Sequence, residues 1–231
     1  MATGTIVLST KAGRVTTPSG IISFTESFAR SLASENHLAS RRARASPASK
    51  AAMDAPEVRF ISADQPTAPF QILQARIPHL EYAADHYGNH FYIRTNDQAQ
   101  NFKLVKAPLT NPSKENWIDV VPHRPEVLLE DFDLFSKYLV TQERSKGLTQ
   151  IRIQPWEGEG HSLAFEDETY TAYVGTNPEF DTNILRFGYN SLVSPSSIYD
   201  YHMVTRQKTL LKQQEVVGGH EPSNYHSERI W

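Results

Sequence analysis

The chain of 231 residues has a formal charge of −3, is 39% hydrophobic and 21% charged, and contains no cysteine. That balance suits one sizeable globular domain and lacks the general positive charge that draws a protein to nucleic acid or to anionic membranes. Without cysteine there is no disulfide framework, thiolate metal site or cysteine nucleophile, which fits a reducing, cytoplasmic setting, and no run approaches the roughly 18 apolar residues of a membrane span.

Residues 1–54 read as an N-terminal arm, disordered or partly helical. They are rich in Ser, Thr and Ala and carry seven Lys/Arg against three Asp/Glu, so the acidic excess lies in the remainder. Within the arm, Ser23-x-x-Glu26 has the form of a capping box, and Phe24, Phe28 and Leu32 fall on one side of a helix expected within 20–38. The basic, Ser-rich composition also suits an organelle transit peptide. Residues 39–54, with Arg41-Arg42 and Ser46-Pro47, read as a linker.

Order begins at 57–61 and 70–74, two strands that look like the second half of a repeat. From Glu81 to Val216 one four-strand unit is written three times at a period of roughly 40 to 50 residues, the span of propeller blades. The first copy places strands at 80–84, 90–94, 102–106 and 117–121. The second places them at 130–135, 138–142, 150–154 and 161–165, and the third at 170–174, 184–189, 197–201 and 209–213. Gly88-Asn89, Lys146-Gly147 and Pro195-Ser196 fall among the turn-formers between them, giving chains of antiparallel meanders. The expected fold is therefore all-β: a partial β-propeller of about three and a half four-stranded antiparallel blades over 55–217. Residues 218–231 form an exit segment, opened by Gly218-Gly219, whose last stretch from Tyr225 has no partner in the chain.

The search for chemistry returns little. There is no Gly-x-Ser-x-Gly elbow, P-loop or dinucleotide fingerprint, and Gly158-Glu159-Gly160 reads as a hairpin. His86 and His90 bracket a tight turn without a third ligand, and His220-Glu221 lacks the second histidine of a zinc helix. Glu130/Asp131 and Glu166/Asp167 are acidic pairs of the kind that serves as acid and base, but solvation is the plainer reading. Strand aromatics such as Phe91, Phe135, Tyr173, Phe187, Tyr189 and Tyr199 suit packing between blades better than a stacking platform. No catalytic, cofactor-binding or metal-ligating residue is assigned, and no cofactor is expected.

Longer strings carry a resemblance. His90 to Asn96, Asn101 to Leu104, Pro122-His123-Arg124 with Val127 to Glu130, Glu143-Arg144 with Gly147-Leu148, and above all Ser191 to Tyr201 resemble the oligopeptidase B (protease II) branch of the prolyl oligopeptidase family of serine peptidases. So do Leu210 to Val216 and Ser227 to Trp231. The match runs from about Glu57 to Trp231. It implies a seven-bladed propeller capping an α/β-hydrolase domain, cytosolic, cleaving short peptides after Lys or Arg, of which this chain holds the last three and a half blades. The catalytic triad is then expected beyond Trp231, so neither His123 nor His202 inherits a role.

Two functions follow: a non-catalytic propeller portion that gates access of short peptides to a hydrolase site, or a free-standing module binding a peptide or protein. The expected partners are a separate catalytic domain, or further copies of the chain through open blade faces bearing Val58, Phe60, Ile72, Leu185, Phe187 and Leu210. Nucleic acid and membrane are not expected partners.

Overall fold

The computed structural model describes residues 7–9, 14–16, 21–25, 56–62 and 67–230, in two compact units, Met1–Arg124 and Pro125–Trp231. Every sheet is antiparallel, and among the described residues helix is limited to single 3-10 turns at Lys114–Asn116 and Pro222–Asn224.

In the first unit, β1 (Val7–Ser9) pairs with β2 (Arg14–Thr16), and β3 (Ile21–Thr25), β4 (Val58–Ser62) and β5 (Gln71–Ile72) form a three-stranded sheet. This corrects the expected helix over its first residues. Ile21–Thr25 is a strand, running from Ile21 opposite Ser62 to Thr25 opposite Val58. A run with Ile, Ile, Phe and Thr suits a pleated ladder, and the hydrogen bonds of a waiting neighbour outweigh a lone capping motif at a marginal short helix. The rest of that expected helix, and the 39–54 linker, lie outside the described residues.

The first complete sheet is the meander β6 (Tyr82–Tyr87), β7 (His90–Thr95), β8 (Lys103–Pro108) and β9 (Ile118–Val121). Tyr87 pairs with His90, so Gly88-Asn89 is a two-residue hairpin loop, and Gly88 supplies its φ of +58°. Phe91, Ile93 and Val105 have no exposure and pack with Val58, Phe60 and Tyr82. The core of this unit thus joins the three-stranded sheet to the meander.

The second unit holds two further meanders. β10 (Val127–Leu134), β11 (Tyr138–Ser145), β12 (Leu148–Pro155) and β13 (His161–Ser162) form one, and β14 (Tyr170–Val174), β15 (Ile184–Ser191), β16 (Ser197–His202) and β17 (Lys208–Gln213) the other. Lys146 and Gly147, both at positive φ, close the β11–β12 hairpin between Ser145 and Leu148. In β12 and β15 alternate residues turn inward, Ile151 and Ile153 meeting Leu185 and Phe187 in one core. Hydrogen bonds lock the two sheets together: Val174 N–H donates to Gln142 Oε1 at 2.9 Å, and Ser136 N–H to the Phe180 carbonyl at 3.0 Å.

The expectation of six side chains on open faces is corrected. Val58, Phe60, Leu185 and Phe187 are buried, because each faces the neighbouring sheet of its own unit. Ile72 and Leu210 are about half exposed, on the short strand β5 and on β17, whose six residues are all exposed. The expectation that the stretch from Tyr225 has no partner in the chain is corrected too. Ser227 is buried, and Arg229 donates through Nη2 to the Lys146 carbonyl and through its N–H to Glu168 Oε2 at 3.4 Å.

Gly160 shows how tightly β13 lies on β12. A Cβ there would come within 2.8 Å of the Ile153 carbonyl oxygen and run into the Gln154 side chain. We expect Gly160→Ala to cost about 1–3 kcal/mol by forcing the two strands apart, read as a lower urea midpoint; an unchanged midpoint would show that the strand yields freely.

Candidate functional site

A pocket of about 150 Å3 opens against the last meander, lined by Phe165, Glu166, Asp167, Phe187, Tyr189, Ser194, Tyr199 and Lys208. Its floor comes from β15, which turns Phe187 and Tyr189 to the side from which Arg186 is absent, and from Tyr199 of β16. Its rim is the connection from β13 to β14, which carries Phe165, Glu166 and Asp167.

The rings form two panels. Phe165 stacks on Tyr189 with centroids 5.3 Å apart and planes 8° apart, and Phe187 stacks on Tyr199 at 5.4 Å and 15°. Phe165 and Phe187 meet edge to face at 6.0 Å and 70°, so the panels make a corner. Asp167 is pinned beside it: Tyr189 Oη donates to Asp167 Oδ2, and Ser194 Oγ donates to the same oxygen at 3.2 Å. Burial works against ionisation of Asp167, but the hydroxyls of Tyr189, Ser191 and Ser194 outweigh it and hold the carboxyl below its usual range. Burial and the same carboxylate push the Tyr189 phenol well up, so it stays a donor.

Of the acidic pairs marked in the sequence, Glu166/Asp167 reaches this pocket. Glu130/Asp131 does not: the β10 bulge between Leu129 and Asp131 presents Glu130 to Gln142 Nε2 at 3.0 Å and to Arg144 Nε at 2.5 Å. The histidines are dispersed. His86 Nε2 donates to the Gly88 carbonyl at 2.6 Å, His123 Nε2 accepts from Asn101 N–H at 3.4 Å, and His202 Nδ1 accepts from Thr205 N–H at 3.1 Å. His220 Nε2 donates to the Val193 carbonyl at 2.6 Å, and Gly158-Glu159-Gly160 lies in the β12–β13 turn. Among the described residues no three His, Asp or Glu side chains are gathered as a metal would need. Among the strand aromatics, Phe91, Phe135 and Phe187 are core, whereas Tyr173 is 44% exposed. Sequence reasoning missed Phe165, Ser194 and Lys208, which no local pattern brings together; the repeated aromatic alternation of β15 and β16 was the available signal.

Two histidines make stability depend on pH. Burial lowers the pKa of His86 and of His161, and for His161 the charges of Arg206 and Arg152 lower it further; its Nε2 lies 2.9 Å from Tyr201 Oη. The unfolded chain therefore takes up these protons first, so this contribution is complete above about pH 6.5 and is lost as pH falls through the lowered values. We expect the urea midpoint to drop between pH 7.5 and 5, and a His86→Gln/His161→Gln chain to show a flatter profile; identical profiles would remove the histidines as the cause.

With blades of four antiparallel strands in place, the class is defined by comparison. Residues 48–214 match the model of the prolyl oligopeptidase N-terminal β-propeller domain, and the chain belongs to that family. It is 37% identical over 176 residues to the dipeptidyl aminopeptidase BI of Pseudoxanthomonas mexicana, covering 76% of this chain and 24% of that one. To protease 2 of Moraxella lacunata it is 29% identical over 175 residues, covering 76% and 25%. Among solved structures, oligopeptidase B from Leishmania major superposes with a TM-score of 0.70 at 26% identity, over 77% of this chain and 26% of that one. The chain thus spans about a quarter of the length of the curated relatives it matches. These relatives bear different peptidase names, so similarity shows the family and its propeller, and not one specificity. No helix among the described residues is long and apolar enough to cross a membrane.

Proposed function

We propose that this chain serves as the propeller portion of an oligopeptidase B-like serine peptidase, gating the access of short peptides to a hydrolase site that these 231 residues do not supply. The observation that carries the reading is the match of residues 48–214 to the family's propeller domain. A rigid array of meanders positions and filters a substrate, whereas peptide hydrolysis needs a nucleophile, a base and an oxyanion hole in register. A cytoplasmic setting is supported by the absence of cysteine.

The test is a chimaera in which residues 57–214 replace the matching quarter of the Pseudoxanthomonas dipeptidyl aminopeptidase BI. A folded chimaera should hydrolyse a short fluorogenic peptide and spare a long unstructured polypeptide. If it folds and degrades the long polypeptide at the same rate as the short peptide, the gating role is wrong.

A further inference from the structure

The pocket against the last meander has no part in that reading. We propose that it binds the zwitterion of a small α-amino acid, with Glu166 receiving the ammonium and Lys208 the carboxylate.

Size sets the scale. At about 150 Å3 the pocket is half the lower end of the roughly 300–1,000 Å3 that drug-sized ligands occupy, so it takes a molecule of a few heavy atoms and not a nucleotide or a peptide strand. Its rings serve as walls. Phe165 lies between Tyr189 and Tyr170, and Phe187 is buried on Tyr199, so the aromatic faces cover one another and recognition falls to the polar groups.

Those groups carry charge of both signs. Asp167 is already met by the hydroxyls of Tyr189 and Ser194, which leaves the Glu166 carboxylate and the Lys208 ammonium. Both line the pocket, yet neither makes an ion pair or hydrogen bond with the other or with any other described residue. Opposite charges that share a small pocket without touching leave a gap that a ligand bearing both charges can bridge. A lone cation would meet the repulsion of Lys208, and a lone anion would face two carboxylates. A zwitterion satisfies each end. An α-amino acid carries its ammonium and carboxylate on one carbon, the most compact form of such a ligand, and a methyl group such as that of alanine packs against the ring walls.

The 231-residue chain is titrated by NMR with L-alanine, with N-acetyl-L-alanine, which lacks the ammonium, with L-alaninamide, which lacks the carboxylate, and with L-tryptophan. Alanine should bind saturably, and loss of either charge should weaken binding by about tenfold. Tryptophan should bind no better than the two blocked forms, because its side chain exceeds the pocket.

Glu166 and Lys208 are exposed, so each can be replaced without disturbing the core. Glu166→Gln should weaken alanine by about fivefold and leave N-acetylalanine, which it no longer repels, unchanged or tighter. Lys208→Gln should weaken alanine to a similar degree and leave alaninamide unchanged or tighter, both variants keeping the same circular dichroism. Equal binding of alanine and either blocked form, tryptophan bound as tightly as alanine, alanine unaffected by either substitution, or no saturable binding at millimolar alanine would each overturn the proposal.

Discussion

Replacing Phe187 by alanine should cost about 3–5 kcal/mol of stability in the unit of residues 125–231. Phe187 is 1% exposed and stacks on Tyr199 at 5.4 Å, in the cluster where Ile151 and Ile153 of β12 meet Leu185 of β15. The sheets on either side are anchored by their own ladders and by the Gln142 and Ser136 hydrogen bonds, so they cannot collapse fully into the space. The void therefore adds to the lost transfer energy. Urea denaturation followed by tryptophan fluorescence, with Trp156 the reporter beside this core among the three tryptophans, reads the loss, and a cost below about 1 kcal/mol would mean that the two meanders do not share a packed core.

Tyr82→Phe should cost about 1–3 kcal/mol although it removes one oxygen atom. That oxygen is a clamp. Tyr82 Oη donates to the Gln74 carbonyl at 2.8 Å and accepts from Val58 N–H at 2.9 Å, tying β4 and the chain after β5 to the first strand of the following meander. Tyr82 is 5% exposed, and burial, its largest cause, pushes its pKa up to about 12. The phenol is thus protonated throughout the physiological range and always has its proton to give. Phenylalanine fills the same volume but leaves a buried N–H and a buried carbonyl without this partner. Hydrogen exchange should show the Val58 amide losing protection in the variant; unchanged protection would show that the bridge carries no energy.

These two sites illustrate what the residues announce and what they hide. The strands of the three meanders were legible because period-2 alternation, as in Gln150 to Gln154, and turn chemistry, as at Gly88 and Gly147, are local signals that tertiary structure here reinforces. The strand at Ile21–Thr25 was not, since Ser23-x-x-Glu26 is an equally local signal for a helix and only the pairing with β4, more than thirty residues on, decides between them. The same limit applies to Val58, Phe60, Leu185 and Phe187. Alternation says that one face is apolar, and only the arrangement of sheets says that this face is covered. The pocket lay beyond reach for a related reason: Phe165, Tyr189, Ser194 and Lys208 span more than forty residues and converge through a connection without regular structure. The family, by contrast, was legible in strings such as Ser191 to Tyr201, because specific wording over many residues carries information that periodicity does not.

The proposed role, filtering substrates without cutting them, is tested most directly by assaying the purified 231-residue protein on a fluorogenic Arg-containing dipeptide. The prediction is no turnover above the buffer rate, because the sequence holds no Gly-x-Ser-x-Gly elbow to present a nucleophile. Turnover that co-purifies with the chain through successive columns and is abolished by a serine-directed inhibitor would contradict it.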